Sequence, residues 1–167
     1  MRLAISRLIT WSLVIGFFIS SLLWSVLSPN ERESRKADQQ ILTVTTSALQ
    51  QAVIFSHMKF HAVSANKLNY IDLVKINDFG LDFNKQGFPI GTSHSENSIT
   101  LPVTTNNCRE IWNALLVVMQ PMLEPEAQAK IRVKSLSGVC HFRSIKFPEH
   151  SILYNPKSGK VSLKIRS

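Results

Sequence analysis

His57 and His61 stand four residues apart, the spacing that sets two imidazoles on one face of a helix, as a pair of metal ligands would be set. No Asp or Glu lies near them in sequence, so the acid of a zinc-peptidase motif is missing and no metal site is expected. His94, His141 and His150 are scattered. Cys140 stands beside His141, but a cysteine next to a base acts as a nucleophile only while its thiol is free. The other cysteine is Cys108, and in a chain exported to an oxidising space the two are expected to form a disulfide. There is no Gly-rich phosphate loop, no Gly-x-Ser-x-Gly elbow and no carboxylate pair singled out by its spacing. These residues point to a non-enzymatic protein with no cofactor and no small-molecule substrate.

A second set of residues could bind rather than react. The 167-residue chain has a formal charge of +8, and from Lys130 onward nine Lys or Arg stand against one acid, Glu149. Lys130, Arg132 and Lys134, with Lys160, Lys164 and Arg166, alternate with apolar residues and could track phosphates. The aromatic platform on which single-strand binders stack bases is missing from that charged face, so no nucleic acid is expected. A solvated sheet face is the plain reading, and an acidic protein or anionic lipid heads stay open as partners.

The elements that would hold these residues begin with Leu8 to Leu27, which no charge interrupts. About twenty such residues suffice for a helix to cross a bilayer, and Trp11 and Trp24 lie near its ends as interfacial anchors would. Arg2 and Arg7 precede the span, whereas Arg32, Arg35 and Lys36 beyond it are mixed with Glu31, Glu33 and Asp38, which places the N-terminus in the cytoplasm. A cleaved secretory signal is the alternative, disfavoured because the best small-residue site, Ser28, precedes Pro29. The expected product is a single-pass membrane protein with almost all its mass outside the cytoplasm.

Residues 1–28 thus read as a cytoplasmic start and transmembrane helix, 29–66 as an amphipathic helix, and 67–167 as one small domain. In the helix, Ile41, Val44, Ala48, Phe55, Met58 and Ala62, widened by Leu49 and Val53, form the stripe expected to pack on the domain. Tyr70 to Ile76 suggests a strand, and Phe79, Leu81 and Phe83 alternate with Gly80 and Asp82. Ser98 to Val103 reads as a strand that Pro102 pushes to an edge, and Cys108 to Met119 as a short helix stopped by Pro121. Lys130–Leu136 and Val139–Ile145 flank a Ser137-Gly138 turn, and Ile152–Tyr154 meets Lys160–Arg166 across Asn155–Gly159. Two successive antiparallel hairpins follow, apolar on one face and basic on the other. The fold class is α+β.

That order of elements resembles the type IV pilins and pseudopilins. Asp82-Phe83-Asn84-Lys85-Gln86-Gly87-Phe88-Pro89-Ile90-Gly91 is similar to the Gly-aromatic-Pro turn of mannose-sensitive haemagglutinin (MSHA) pilins, and Cys108-Arg109-Glu110-Ile111-Trp112 to their Cys-x-x-(apolar)-Trp helix. Cys140-His141-Phe142 and Ile152 to Val161 resemble the closing Cys strand and final hairpin. The front departs from the pattern. A processed pilin carries Glu at the fifth mature position, whereas here the one leader-like pair, Gly16-Phe17, sits inside the apolar run and Ser21 takes the Glu position. The chain is therefore not expected to be a prepilin-peptidase substrate, and it resembles a pilin-like accessory component of MSHA biogenesis. The resemblance implies the inner membrane as the site of anchoring, with the C-terminal domain in the periplasm, and pilin subunits or other MSHA assembly proteins as partners; a membrane-tethered periplasmic binding module unrelated to pili is the alternative.

Overall fold

The computed structural model describes residues 11, 14–24, 31–64, 72, 74–76, 79–92, 101–116 and 130–165. Residues 1–35 and 36–167 form two compact units. In the first, residues 14–24 are helical and their large apolar side chains are exposed. Among the described residues no helix is long and apolar enough to cross a membrane. Part of the expected span over 8–27, and the disfavoured signal-cleavage site at Ser28-Pro29, lie outside those residues.

Helix α1 spans Glu31–Ser64, with Glu31 and Glu33 in its first turn, where acids complement the positive end of the helix dipole. From Lys36 onward it buries Leu42, Thr45, Leu49, Ala52, Val53, Ser56 and Phe60, a run of three- and four-residue steps that makes one face. The hydroxyls in that face do not interrupt it: Thr45 Oγ1 donates to the Ile41 carbonyl and Ser56 Oγ to the Ala52 carbonyl, each at 2.7 Å.

This corrects the expected packing stripe. Leu49 and Val53 are buried and Ile41 and Ala48 half-buried, but Val44, Phe55, Met58 and Ala62 face outward, Val44 at 62% and Met58 at 64% exposure. The physical reason is that α1 carries two apolar stripes on opposite faces. The inner one contains Thr45 and Ser56 and so looks more polar in sequence than it is once those hydroxyls bond back to the helix.

The first sheet is a three-stranded antiparallel meander, β1 (Val74–Ile76), β2 (Phe79–Phe83) and β3 (Pro89–Gly91). Of the strand expected from Tyr70, only Val74–Ile76 lies in the described part as strand. The β2–β3 turn is built by Asn84, whose Oδ1 accepts from the Gln86 and Phe88 backbone N–H groups at 2.9 and 3.0 Å. Its Nδ2 reaches across to the Pro156 carbonyl at 2.6 Å.

Helix α2 spans Thr105–Leu116 and starts three residues before the expected Cys108, because Thr104 and Asn107 cap it reciprocally. Thr104 Oγ1 accepts from the Asn107 N–H at 3.2 Å while Asn107 Oδ1 accepts from the Thr104 N–H at 3.0 Å. The same cap claims the chain before it: Leu101 to Val103 form no strand, contrary to expectation, and residues 93–100 lie outside the described part. Residues 117–120, where the helix was expected to end, do so too.

The second sheet is the expected pair of hairpins, β4 (Ile131–Leu136), β5 (Val139–Ser144), β6 (Ser151–Asn155) and β7 (Lys160–Lys164), in sequential antiparallel order. Ser137 and Gly138 both take positive φ, 52° and 76°, which gives the β4–β5 turn the primed geometry that suits strand twist. Cys140, Phe142, Ile152 and Tyr154 form the buried inner face, where Tyr154 donates to the Pro89 carbonyl at 2.8 Å and so ties the two sheets together. Complete burial pushes the Tyr154 phenol pKa upward, so the hydroxyl stays a donor. α1 closes the unit: Phe60 packs on Phe83 with ring centroids 5.2 Å apart, and Gln50 accepts from the Val161 N–H on β7 at 3.0 Å.

Candidate functional site

Cys108 on α2 and Cys140 on β5 are joined in a disulfide with Cα atoms 5.4 Å apart, and both are buried. Cys140 therefore has no thiol for His141 to activate. One helical turn beyond Cys108, Trp112 lies 4.6 Å, centroid to centroid, from Phe142.

His150 is fully buried, and its Nδ1 stands 2.8 Å from Asp38 Oδ2. Ser144 Oγ donates to the other carboxylate oxygen at 2.8 Å and accepts from the Phe147 N–H at 3.2 Å. These three residue types can make a hydrolytic triad, but here the hydroxyl donates to the carboxylate rather than to the imidazole, so the histidine is not placed to take its proton. The arrangement fastens α1 to the β5–β6 connection. No local sequence signal announces it, since Asp38 lies 112 residues from His150. Asp38→Ala would leave two buried donors unpaired and should cost roughly 2–4 kcal/mol in a urea melt of the full chain. A change below about 0.5 kcal/mol, the size of an ordinary surface substitution, would show that the cluster does not fasten the helix.

The remaining surfaces are suited to binding. On α1, Val44, Ile54, Phe55, Met58 and Val63 are exposed large apolar side chains, most of them on the side opposite the buried face. On the outer face of the second sheet, Arg132 pairs directly with Arg143 and Lys134 with His141, while Ser151 stands between Arg143 and Lys164. Like charges directly opposite each other destabilise a sheet. The His141 pKa is lowered, by burial first and then by the positive charges of Arg143 and Lys164. Two shallow recesses flank Arg143, one walled by Arg132 and Lys134 and the other by His141 and Lys164. The basic face expected from the alternation is thus present over Lys130 to Lys164, while Arg166 lies outside the described residues.

His57 and His61 do share a helix face, with their Nε2 atoms 3.1 Å apart. Among the described residues no group of three or more His, Cys, Asp or Glu is placed to hold a metal ion. His94 lies outside the described residues. No family model, curated protein or solved structure matches the chain.

Proposed function

We propose that the protein is a non-enzymatic, membrane-anchored accessory component of type IV pilus biogenesis, of the pilin-like kind that the MSHA biogenesis protein MshF represents. The observation that carries this reading is the two-sided helix. One face of α1 is buried on a disulfide-tied antiparallel domain, and the opposite face presents Val44, Phe55 and Met58 to solvent. Large apolar side chains exposed along a helix mark an interaction site, and a partner helix laying its own apolar face there is the simplest cover for them. Anchoring rests on the uncharged run from Leu8 to Leu27, and the exposed apolar side chains over 14–24 suit a lipid environment.

In this reading the N-terminus is cytoplasmic, the domain is periplasmic, and α1 meets pilins or assembly-platform helices. Deleting the protein should abolish or strongly reduce surface pili while prepilin processing continues. Electron microscopy counts of pili beside an immunoblot of pilin maturation would test this, and normal piliation in the deletion strain would remove the proposal. The basic sheet face favours the second reading, a tethered periplasmic binding module, because its opposed cations cost stability unless an anionic partner offsets them. That module would leave piliation untouched.

A further inference from the structure

We propose that His57 and His61 form a two-imidazole chelate for a divalent transition-metal ion such as Zn2+ or Ni2+, presented on the surface of α1. His57 Nδ1 lies 2.8 Å from the Gly87 carbonyl oxygen. A carbonyl only accepts, so Nδ1 carries the proton, and in the neutral ring Nε2 is left with a bare lone pair. That is how metal-binding histidines are commonly held, with one ring nitrogen donating to a backbone carbonyl and the other free to coordinate.

The bare nitrogen points at His61 Nε2, 3.1 Å away. Imidazole nitrogens bind zinc at about 2.0–2.1 Å, so two of them on one ion stand about 2.9 Å apart at a right angle and about 3.4 Å apart at a tetrahedral angle. The observed separation falls between these values. It also suits a single proton, donated from His61 Nε2 to His57 Nε2. An incoming metal ion displaces that proton and sits to one side of the line joining the two nitrogens, the exposed His61 ring turning to aim its lone pair at the ion; His61 keeps one proton by moving it through solvent to Nδ1, so both ligands bind as neutral imidazoles.

Both rings are held before any ion arrives. His57 stacks on Phe88 with centroids 4.4 Å apart and planes 11° from parallel, and His61 meets Phe60 edge-on at 5.4 Å. Gly87 has a φ of +81°, and a Cβ there would collide with the Phe60 ring and stand 3.0 Å from His57 Nδ1, so glycine is what lets this turn approach α1 closely enough for its carbonyl to reach the ring. Two nitrogen donors favour Zn2+, Ni2+ or Cu2+ over Mg2+ and Ca2+, which prefer oxygen. Water fills the other coordination positions in the isolated chain.

The test is isothermal titration of the full chain, purified in detergent without a histidine tag, with Zn2+, Ni2+ and, as a control, Mg2+. One saturable equivalent of Zn2+ and of Ni2+ per chain is expected, with none for Mg2+. His61 is exposed, so His61→Ala should fold with an unchanged melting temperature yet weaken binding by at least roughly tenfold. His57→Ala should weaken it as much, and His141→Ala, on the sheet's outer face, should not. Zn2+ should raise the melting temperature of the parent protein and not that of His61→Ala. Absence of saturable binding below about 1 mM, or full binding retained by His61→Ala, overturns the proposal.

Discussion

Replacing both Cys108 and Cys140 by serine is expected to lower the melting temperature of the domain by roughly 15 °C. The bond closes a loop across a sequence separation of 32, and removing such a constraint from the unfolded chain corresponds to about 3–4 kcal/mol. The effect should be large in this domain because the covalent tie lies within the contact it stabilises. Cys108 and Cys140 are both buried, and Trp112 on the same helix rests on Phe142 of the same strand. Without the bond, α2 is held to β5 by that packing and to the neighbouring β4 by the Ser135 N–H, which donates to Thr105 Oγ1 at 3.0 Å. Thermal melts of the oxidised protein and the double serine variant measure the difference directly. Equal melting temperatures would show that packing alone fixes α2.

The hairpins were legible because strand alternation and turn chemistry are both local signals. Arg132, Lys134 and Leu136 lie on one side and Val133 and Ser135 on the other, and Ser137-Gly138 supplies the two positive φ angles that fix their register against β5. The disulfide was legible for the different reason that two cysteines allow one pairing. What could not be read was anything set by a distant partner. Asp38 looks like one more acid near a helix start, yet it meets His150 and Ser144 across more than a hundred residues. Gln50 looks like a solvent-facing residue, yet it completes the edge of β7 through the Val161 N–H. Leu101 to Val103 have strand composition, but they run as irregular chain into the reciprocal cap between Thr104 and Asn107 that starts α2 at Thr105. The metal-ligand spacing of His57 and His61 was visible, but the Gly87 carbonyl that fixes the tautomer was not.

The choice between the two stripes of α1 belongs to the same class, and it yields the second large effect. Periodicity points to the stripe through Val44, Phe55 and Met58, widened by Leu49 and Val53, but only the domain decides which side is covered, and it covers Leu42, Leu49, Val53 and Phe60. Leu49 is fully buried, so Leu49→Ala should cost about 3 kcal/mol through lost transfer energy and the cavity left behind. Val44 and Met58 lie 14 residues apart on the outer stripe, about 21 Å along the axis. Replacing both with glutamate should change stability by no more than about 0.5 kcal/mol per site, as surface substitutions usually do. On the proposed function the same pair of changes should sharply reduce piliation at normal protein abundance, because two carboxylates would be set where a partner helix packs. Denaturant melts and pilus counts on the same variants separate the two faces. If Leu49→Ala left stability unchanged, the buried face would be misassigned; if the double glutamate variant assembled pili normally, the outer stripe would not be the surface that partners use.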